Sequence, residues 1–282
     1  MVDCTRTVRG VPVPTFIYGT AWKEELTGPL VARSLHAGFR GIDTANQRKH
    51  YHEAGVGVAL TRSFERGALR RDELFVQTKF TFPAGQDHRI PYDRHASVAE
   101  QVEQSFESSL EHLGVERIDS YVLHGPTVSS GLGDADREAW RAMEALHEDG
   151  RARLIGVSNV RPDQLELLCE FAEVPPAFVQ NRCFARMGWD AEVRRVCDER
   201  SIVYQGFSLL TANPEVLGRP ALADMAERHE RTRPQLIFRF ALQLGMIPLT
   251  GTKDPRHMEQ ALEVYDFELS DEEIAAIEGM GA

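Results

Sequence analysis

Four side chains that can hold or move a proton lie at the ends of apolar runs or in the loops that follow them. Asp43 and Lys79 end two of these runs, and His124 ends a third. Tyr51 lies in the polar loop that follows Asp43. A buried lysine beside a carboxylate stays charged, and its charge would lower the pKa of a neighbouring phenol. With a histidine to hydrogen-bond the substrate oxygen, this set is suited to protonating a carbonyl oxygen that receives a hydride.

A nicotinamide cofactor is required by this chemistry, because no side chain can supply a hydride. Polar residues at the ends of later apolar runs are placed to bind one. Ser158, Asn159 and Gln180 would hold the carboxamide of the nicotinamide ring, and Phe207 offers a flat face for stacking. Trp22 is a candidate wall of the substrate pocket.

Short apolar runs alternate with stretches of helical spacing along the chain. The predicted strands lie at residues 15–19, 39–42, 73–79, 118–124, 154–159, 177–181, 202–208 and 246–252. At least one predicted helix follows each strand. The strands carry few alternating polar residues, as expected of parallel strands that are buried on both faces. Eight strand-then-helix units favour the α/β class and a closed (β/α)8 TIM barrel.

Two further elements flank the predicted barrel. A short N-terminal hairpin is predicted at residues 4–13, and an additional C-terminal helix at about 270–280 begins after Ser270 as its cap. No linker or break in composition divides the chain, so we expect residues 1–282 to form a single domain. An open dinucleotide-binding sheet is the alternative, but Gly19-Thr20-Ala21-Trp22 lacks the G-x-G-x-x-G pattern after the first strand.

The composition excludes several classes of partner. Of the 282 residues, 42% are hydrophobic and 27% are charged, which is ordinary for a globular protein. The formal net charge is −11 and the arginines are scattered, which argues against binding to nucleic acid. No stretch approaches the roughly eighteen apolar residues of a membrane span, and the N-terminus lacks the apolar core of a signal peptide. The four cysteines form no CxxC pair and indicate reduced thiols. We therefore expect a cytoplasmic protein, a monomer or weak oligomer, that contacts neither nucleic acid nor membrane.

Several segments, in order and along nearly the whole chain, resemble the aldo-keto reductases. They are Gly38–Ala45, Leu74–Lys79, Ser109–Pro126, Gly150–Asn159 and Phe267–Ser270. The resemblance implies a (β/α)8 barrel that reduces a small carbonyl substrate with NAD(P)H, using an Asp, Tyr, Lys and His tetrad. Asp43, Lys79 and His124 take three of these roles directly.

The resemblance also implies where the ligands bind. The expected cofactor contacts are Thr20, Asp43, Ser158, Asn159, Gln180, Phe207, Ser208, Leu210, Thr250, Gly251, Thr252, Lys253 and His257. The expected substrate pocket is formed by Trp22, Tyr51 and His124, with Tyr18 as a further candidate wall.

The tetrad tyrosine departs from the spacing of the family. Arg48 stands at the usual distance after Asp43, and Tyr51 comes three residues later. Counted back from Val56, which matches the helix after the loop, Tyr51 is nearly in place. We therefore interpret the loop as carrying a short insertion before Tyr51, which acts as the general acid. The alternative is that Arg48 occupies this position and the enzyme is weak or altered.

The expected site for the 2′-phosphate of the cofactor also departs from the family. At the positions where the family usually has a lysine, a hydroxyl residue and an arginine, this chain has Gly251, Thr252 and His257. Lys253, Arg256 and His257 still supply positive charge, so NADP(H) is favoured and NAD(H) is possible. The loop after the fourth strand is short and little chain follows the last helix, which implies an open pocket and broad or bulky substrates.

Two other functions and two structural interpretations remain open. A displaced tyrosine would suit a cofactor-binding barrel that acts as a sensor or auxiliary subunit with little turnover. His50 and His52 form an H-x-H pair of the kind found in metal-dependent hydrolase barrels, but later strand ends supply too few ligands, and no metal is predicted. Asp43 and Lys79 could form a purely structural ion pair. Asn159 could merely cap the next helix.

Overall fold

The computed structural model describes residues 4–281 and contains a closed barrel of eight parallel strands. β1 (Thr5–Val8) and β2 (Val11–Pro14) form an antiparallel hairpin ahead of it. The barrel strands are β3 (Ile17–Gly19), β4 (Gly41–Asp43), β5 (Phe75–Phe80), β6 (Ile118–Leu123), β7 (Ala152–Ser158), β8 (Phe178–Arg182), β9 (Val203–Phe207) and β10 (Ile247–Thr250). Each pairs with its neighbours in the chain, and β10 pairs with β3 to close the barrel. The predicted TIM barrel with an N-terminal hairpin is confirmed.

Helices connect successive strands and surround the barrel. They are α1 (Thr27–Ala37), α2 (Glu53–Glu65), α3 (Val98–Leu113), α4 (Asp134–Glu148), α5 (Pro162–Phe171), α6 (Ala191–Glu199), α7 (Pro214–Leu217), α8 (Pro220–Arg228), α9 (Arg233–Gln243), α10 (Pro255–Leu262) and α11 (Asp271–Gly279). The additional C-terminal helix is confirmed as α11, and Ser270 caps it by accepting a hydrogen bond from the backbone N–H of Glu273. None of the helices between residues 4 and 281 combines the length and apolar character that crossing a membrane requires.

The hairpin closes the amino-terminal end of the barrel. Val8, Val11 and Val13 pack in one apolar cluster with residues of the barrel strands. Arg9, in the turn of the hairpin, donates to the carbonyl oxygen of Pro176 at 2.9 Å, just before β8. Because this end is filled with apolar side chains, a polar site has to form at the carboxyl ends of the strands.

Helix α6 begins later than the sequence predicts. The spacing of apolar residues predicts a helix over 189–200, whereas α6 spans Ala191–Glu199 and follows a turn of 3-10 helix. Trp189 and Asp190 have φ angles of 57° and 59°. These angles lie in the left-handed region, where an α-helix of L-residues cannot continue. Burial of the Trp189 indole holds the chain in this turn.

A buried carboxylate joins three elements behind the loop that carries Tyr51. Glu53 begins α2, accepts a hydrogen bond from Thr78 Oγ1 on β5 and lies 3.2 Å from His112 Nδ1 on α3. The two helices approach closely because Gly57 has no side chain, and a Cβ there would overlap the carbonyl oxygen of His112. This contact anchors the end of the loop to the barrel wall.

We expect the contribution of His112 to stability to fall as the pH rises. The hydrogen bond with Glu53 raises the pKa of His112 above 6.5, and burial opposes this shift. A raised pKa gives stability that is fully present below the unfolded pKa and is lost as the pH rises through the folded pKa. His112→Gln should therefore lower the urea midpoint more at about pH 5.5 than at about pH 8.5. In a Glu53→Gln background this difference between the two pH values should disappear, and its persistence would contradict the pairing.

Candidate active site

A buried ion pair lies at the carboxyl ends of β4 and β5. Lys79 Nζ is 2.6 Å from Asp43 Oδ1, and the two side chains are 1% and 4% exposed. Lys79 also donates to the carbonyl oxygen of Thr44 at 2.8 Å. Burial lowers the pKa of Lys79, and the charge and hydrogen bond of Asp43 oppose this shift. The pairing therefore keeps the ammonium group charged inside the barrel.

Three buried glutamines complete the surroundings of Asp43. Gln77 Nε2 and Gln180 Nε2 donate to Asp43 Oδ1 at 2.8 and 3.0 Å. The same two amide groups donate to Gln205 Oε1 at 2.8 and 2.9 Å. Gln205 Nε2 donates back to Gln77 Oε1 at 3.0 Å. The network crosses the interior of the barrel, from β4 and β5 on one side to β8 and β9 on the other.

The ring of Tyr51 lies beside the ion pair. Its centroid is 5.3 Å from Lys79 Nζ and 5.9 Å from the centroid of the His124 ring, which it meets edge-on. Within residues 4–281, no group forms a hydrogen bond with the hydroxyl of Tyr51. Burial raises the pKa of Tyr51 well above 10, and the negative charge of Asp43 adds to the shift. The expectation that the Tyr51 pKa lies closer to physiological pH is wrong, because burial of the phenol dominates the shift.

His124 follows β6 and is held from two sides. Its Nδ1 lies 2.6 Å from Thr81 Oγ1, and Asn159 Nδ2 donates to its carbonyl oxygen at 2.7 Å. Burial, assisted by the charges of Lys79 and His50, lowers the pKa of His124 to about 3. The imidazole is therefore neutral at physiological pH, and Nε2 remains for a ligand.

Arg48 lies outside this cluster. Its Nη2 pairs with Glu25 Oε1 at 3.3 Å, and the side chain is 33% exposed. Its Nη1 reaches only the backbone oxygen of Tyr51, at 3.5 Å. The loop after β4 thus places Tyr51, and not Arg48, against the ion pair.

A cavity of about 660 Å³ opens at this end of the barrel. Its size is typical of small-molecule sites. It is lined by strand ends and the loops that follow them, as a TIM barrel requires. The predicted residues that line it are Trp22, Asp43, Tyr51, His124, Ser158, Asn159, Gln180, Phe207, Ser208, Leu210, Thr250, Gly251, Thr252 and His257.

Four residues from the sequence-based set do not line the cavity. Thr20 is fully buried, and its hydroxyl donates to the backbone oxygen at the end of β4 at 2.9 Å. Tyr18 is also fully buried and donates to a backbone oxygen after β10 at 2.8 Å. The expectation that Tyr18 forms a pocket wall is therefore wrong. Lys79 is buried behind the cavity surface, and Lys253 is exposed beside it.

Ser158 and Asn159 are held in fixed positions at the end of β7. Ser158 Oγ donates to the backbone oxygen of Gln180 at 2.5 Å, and Asn159 Nδ2 donates to Ser158 Oγ at 3.1 Å. Asn159 has a φ of 55°, which turns the chain sharply after the strand. Arg161, and not Asn159, stands at the N-cap of α5. The interpretation of Asn159 as a helix cap is therefore wrong.

His50 and His52 flank Tyr51 and have separate partners. The His50 ring stacks on the indole of Trp22 with 4.0 Å between centroids, and His52 Nδ1 lies 3.2 Å from the backbone oxygen of Glu24. In the described part of the chain, no three histidine, cysteine, aspartate or glutamate side chains are grouped so that they could hold a metal ion. The hydrolase alternative thus has no set of ligands among residues 4–281.

Comparison with protein families agrees with this arrangement. The model of the aldo/keto reductase family matches residues 18–282. The chain belongs to the aldo/keto reductase family. Its members are oxidoreductases, and the resemblance drawn from the sequence segments is confirmed.

Individual relatives cover nearly the whole of this aldo/keto reductase. It is 32% identical over 282 residues to glyoxal reductase of Bacillus subtilis, covering 99% of this chain and 92% of that protein. It is 31% identical over 275 residues to YtbE, an uncharacterized oxidoreductase of the same organism. This match covers 96% of this chain and 90% of YtbE. A crystal structure of an aldo/keto reductase from Brucella melitensis superposes with a TM-score of 0.85 at 28% identity, covering 99% and 98%.

Several residues at the site of this aldo/keto reductase were missed by sequence reasoning. Gln77 and Gln205 each stand as a polar residue inside a buried strand, and a buried amide needs a partner. That signal was available in the sequence. Other residues that line the cavity come from the segment between β9 and β10 or from α10, and most of them lie away from strand ends, where no local pattern indicates them. They include Leu209, Thr211, Thr232, Pro234, Gln235, Phe238, Gln260 and Ala261.

A buried cation beside the cavity was also missed. Lys23 Nζ donates to the backbone oxygen of Gly251 at 2.9 Å and lies 5.1 Å from the centroid of the Tyr18 ring. A Cβ on Gly251 would lie 3.1 Å from this ammonium group, so glycine leaves the space that Lys23 uses. Burial lowers the pKa of Lys23 to about 8, and the charge of Lys253 acts in the same direction. Within residues 4–281 no acidic side chain pairs with Lys23, so its charge remains for an anionic ligand.

Proposed function

We propose that this aldo/keto reductase converts aldehydes or ketones to alcohols and uses NADPH as the hydride donor. The observation that carries the proposal is that Tyr51 and His124 line one cavity beside the ion pair of Asp43 and Lys79. The phenol supplies a proton donor and the imidazole a hydrogen-bond donor for one carbonyl oxygen. Membership of the family supports the same chemistry.

The polar atoms that remain at the cavity fit a nicotinamide cofactor. Gln180 Oε1 and Asp43 Oδ2 accept no hydrogen bond from residues 4–281, and both residues line the cavity. Such acceptors match the amide hydrogens and hydroxyl groups of the cofactor. Phe207 offers an apolar face for stacking, and the charge of Lys23 suits phosphate groups. When bound, the cofactor supplies the hydride.

The protein's own part is to deliver a proton and hold the carbonyl group. Tyr51 donates the proton of its hydroxyl to the substrate oxygen, and its raised pKa keeps the phenol protonated beforehand. As the proton leaves, the ammonium group of Lys79, 5.3 Å from the ring centroid, stabilises the negative charge that develops on the phenol. Asp43 keeps Lys79 charged. Neutral His124 donates a hydrogen bond from Nε2 to the same substrate oxygen.

Oxidation of NADPH with a panel of aldehydes and ketones tests this function. The panel includes glyoxal, because a relative with 32% identity is named glyoxal reductase. We expect oxidation with at least one carbonyl compound and none in its absence. Binding of NADPH without oxidation across the whole panel would contradict the proposal and would favour a sensor or auxiliary subunit.

We expect the cations after β10 to favour NADPH over NADH. Lys253 and Arg256 are exposed, and His257 lines the cavity. Water screens exposed charges, and Arg256 also pairs with Asp254 at 3.4 Å, so each cation contributes modestly. Replacing Lys253 and Arg256 together by alanine should lower the ratio of kcat/KM for NADPH to that for NADH about tenfold.

The matched control for this prediction removes two cations elsewhere. Arg62 and Arg66 lie at the end of α2 and border a groove on the outside of the barrel. Replacing both by alanine makes the same change in net charge and should leave the cofactor ratio unchanged. A tenfold drop in this control as well would assign the effect to net charge and contradict a local phosphate site.

A further inference from the structure

The buried glutamines leave a single amide acceptor at the cavity. The two hydrogens of Gln180 Nε2 are used by Asp43 Oδ1 and Gln205 Oε1. The two hydrogens of Gln77 Nε2 are used by the same two oxygens. Gln205 Oε1 therefore accepts two hydrogen bonds, which fills its capacity. Gln180 Oε1 receives no hydrogen bond from residues 4–281 and belongs to a residue that lines the cavity.

Gln205 and Asp43 together determine which way the amide of Gln180 faces. Turning that amide by half a rotation would place Oε1 against the carboxylate and against Gln205 Oε1. Each of these contacts would place two hydrogen-bond acceptors against each other in a buried site, which is unfavourable. The Gln180 amide is therefore left with one orientation. Gln205 cannot turn either, because its Nε2 donates to Gln77 Oε1 at 3.0 Å. The orientation of Gln180 thus depends on two residues of other strands.

The glutamines occupy one layer of the barrel interior. In a strand, residues two apart point to the same side. Two residues before each glutamine stands an apolar residue of the cluster beneath the hairpin; these are Phe75, Phe178 and Val203. The interior is therefore apolar below this layer and opens into the cavity above it. Leucine side chains could fill this layer without burying any amide group. The polarity of the three glutamines is therefore explained by the site above the layer.

We propose that Gln77 and Gln205 are positioning residues that hold Gln180 Oε1 as an acceptor for the amide hydrogens of a nicotinamide ring. The proposal rests on the proposed function, because it requires NADP(H) in this cavity. A carboxamide has an oxygen end and an NH2 end. A fixed acceptor binds only the NH2 end, so the network selects one orientation of the ring.

Binding of NADP⁺ and of its 3-acetylpyridine analogue, measured by isothermal titration calorimetry, tests this role. In the analogue a methyl group replaces the amide nitrogen and cannot donate to Gln180 Oε1. The wild type should bind the analogue about tenfold more weakly than NADP⁺. Gln205→Leu removes one of the two acceptors that orient Gln180 and loosens the amide, so the difference should shrink to less than about threefold. Gln77→Leu, which leaves Gln205 free to turn, should shrink it as well.

A conservative variant should restore the discrimination. Burial next to Asp43 favours the neutral form of the carboxyl group introduced by Gln205→Glu. A neutral carboxyl group accepts hydrogen bonds through one oxygen and donates one to Gln77 Oε1 through its hydroxyl. The tenfold difference between the two ligands should therefore return in this variant. A residue with a merely structural role would change the melting temperature without changing this ratio.

Gln164→Leu is the matched control. Gln164 on α5 is also buried, and its Nε2 donates to the backbone oxygens of Val128 and Gly131 at 2.9 and 3.1 Å. The Gln164→Leu variant should lose stability and keep the tenfold difference in affinity between NADP⁺ and its analogue. Gln77→Leu and Gln205→Glu supply the comparison if Gln205→Leu does not fold.

The possible outcomes separate the inference from the proposed function. Loss of discrimination in Gln205→Leu together with its return in Gln205→Glu supports the positioning role. Retained discrimination in Gln205→Leu, or a wild type that binds both ligands equally, overturns the inference and leaves the proposed function standing. A wild type that binds neither NADP⁺ nor NADPH contradicts the proposed function itself.

Discussion

Replacing Tyr51 by phenylalanine should lower kcat for carbonyl reduction by a factor of about 100 to 10,000. The change removes the hydroxyl that donates the proton and keeps the ring, whose centroid lies 5.9 Å from that of His124. Because the packing is kept, the affinity for NADPH and the melting temperature should change little. Steady-state oxidation of NADPH with the best aldehyde of the panel measures the loss, and titration with NADPH measures the affinity.

Arg48→Ala is the control for this prediction. Arg48 pairs with Glu25 at the surface, so its loss should change kcat by less than about threefold. Full activity in Tyr51→Phe combined with a large loss in Arg48→Ala would reverse the assignment of the general acid. That outcome would mean that the loop rearranges when ligands bind.

Replacing Lys79 by methionine should lower the free energy of unfolding by about 3 to 5 kcal/mol. The ammonium group neutralises Asp43 at 2.6 Å in a site that is almost fully buried. Without it, the carboxylate keeps hydrogen bonds from Gln77 and Gln180 but has no opposite charge beside it. Urea denaturation measures the change. The double variant Asp43→Asn with Lys79→Met should recover most of the loss, because it removes both charges together.

An exposed ion pair offers the matched control for Lys79→Met. Arg195 and Glu199 lie one turn apart on α6, 2.6 Å from each other, and both side chains are 56% exposed. Arg195→Met should change the free energy of unfolding by less than about 1 kcal/mol. A loss below about 1 kcal/mol in Lys79→Met would show that water reaches Asp43 and that the pair is not isolated in the barrel.

Much of the candidate site could be predicted from local sequence patterns. Asp43, Lys79 and His124 follow apolar runs, and the parallel strands of a barrel bring their carboxyl ends to one rim. The same reasoning fails for Tyr18, which belongs to an apolar run but faces the packed interior, where its hydroxyl donates to a backbone oxygen. Sequence alone does not show which side of a three-residue strand faces the cavity.

The direction of the pKa of Tyr51 depended on tertiary structure as well. A lysine near a phenol favours the charged phenolate, whereas burial disfavours it. Here burial of the ring dominates, and the negative charge of Asp43 acts in the same direction. The sequence indicates which groups lie near one another, but the sign of the shift depends on how deeply the phenol is buried.

The amino-acid sequence by itself determined the eight strand-and-helix units, the closed barrel and the residues at the strand ends. Apolar spacing and turn residues are local properties that one chain displays. Only the tertiary structure decided that the loop after β4 brings Tyr51, and not Arg48, against the ion pair. It also decided that Gln77 donates both to Asp43 and to Gln205 inside the barrel. The physical reason is that these contacts join residues as many as 128 positions apart, and their distances exist only once the barrel has closed.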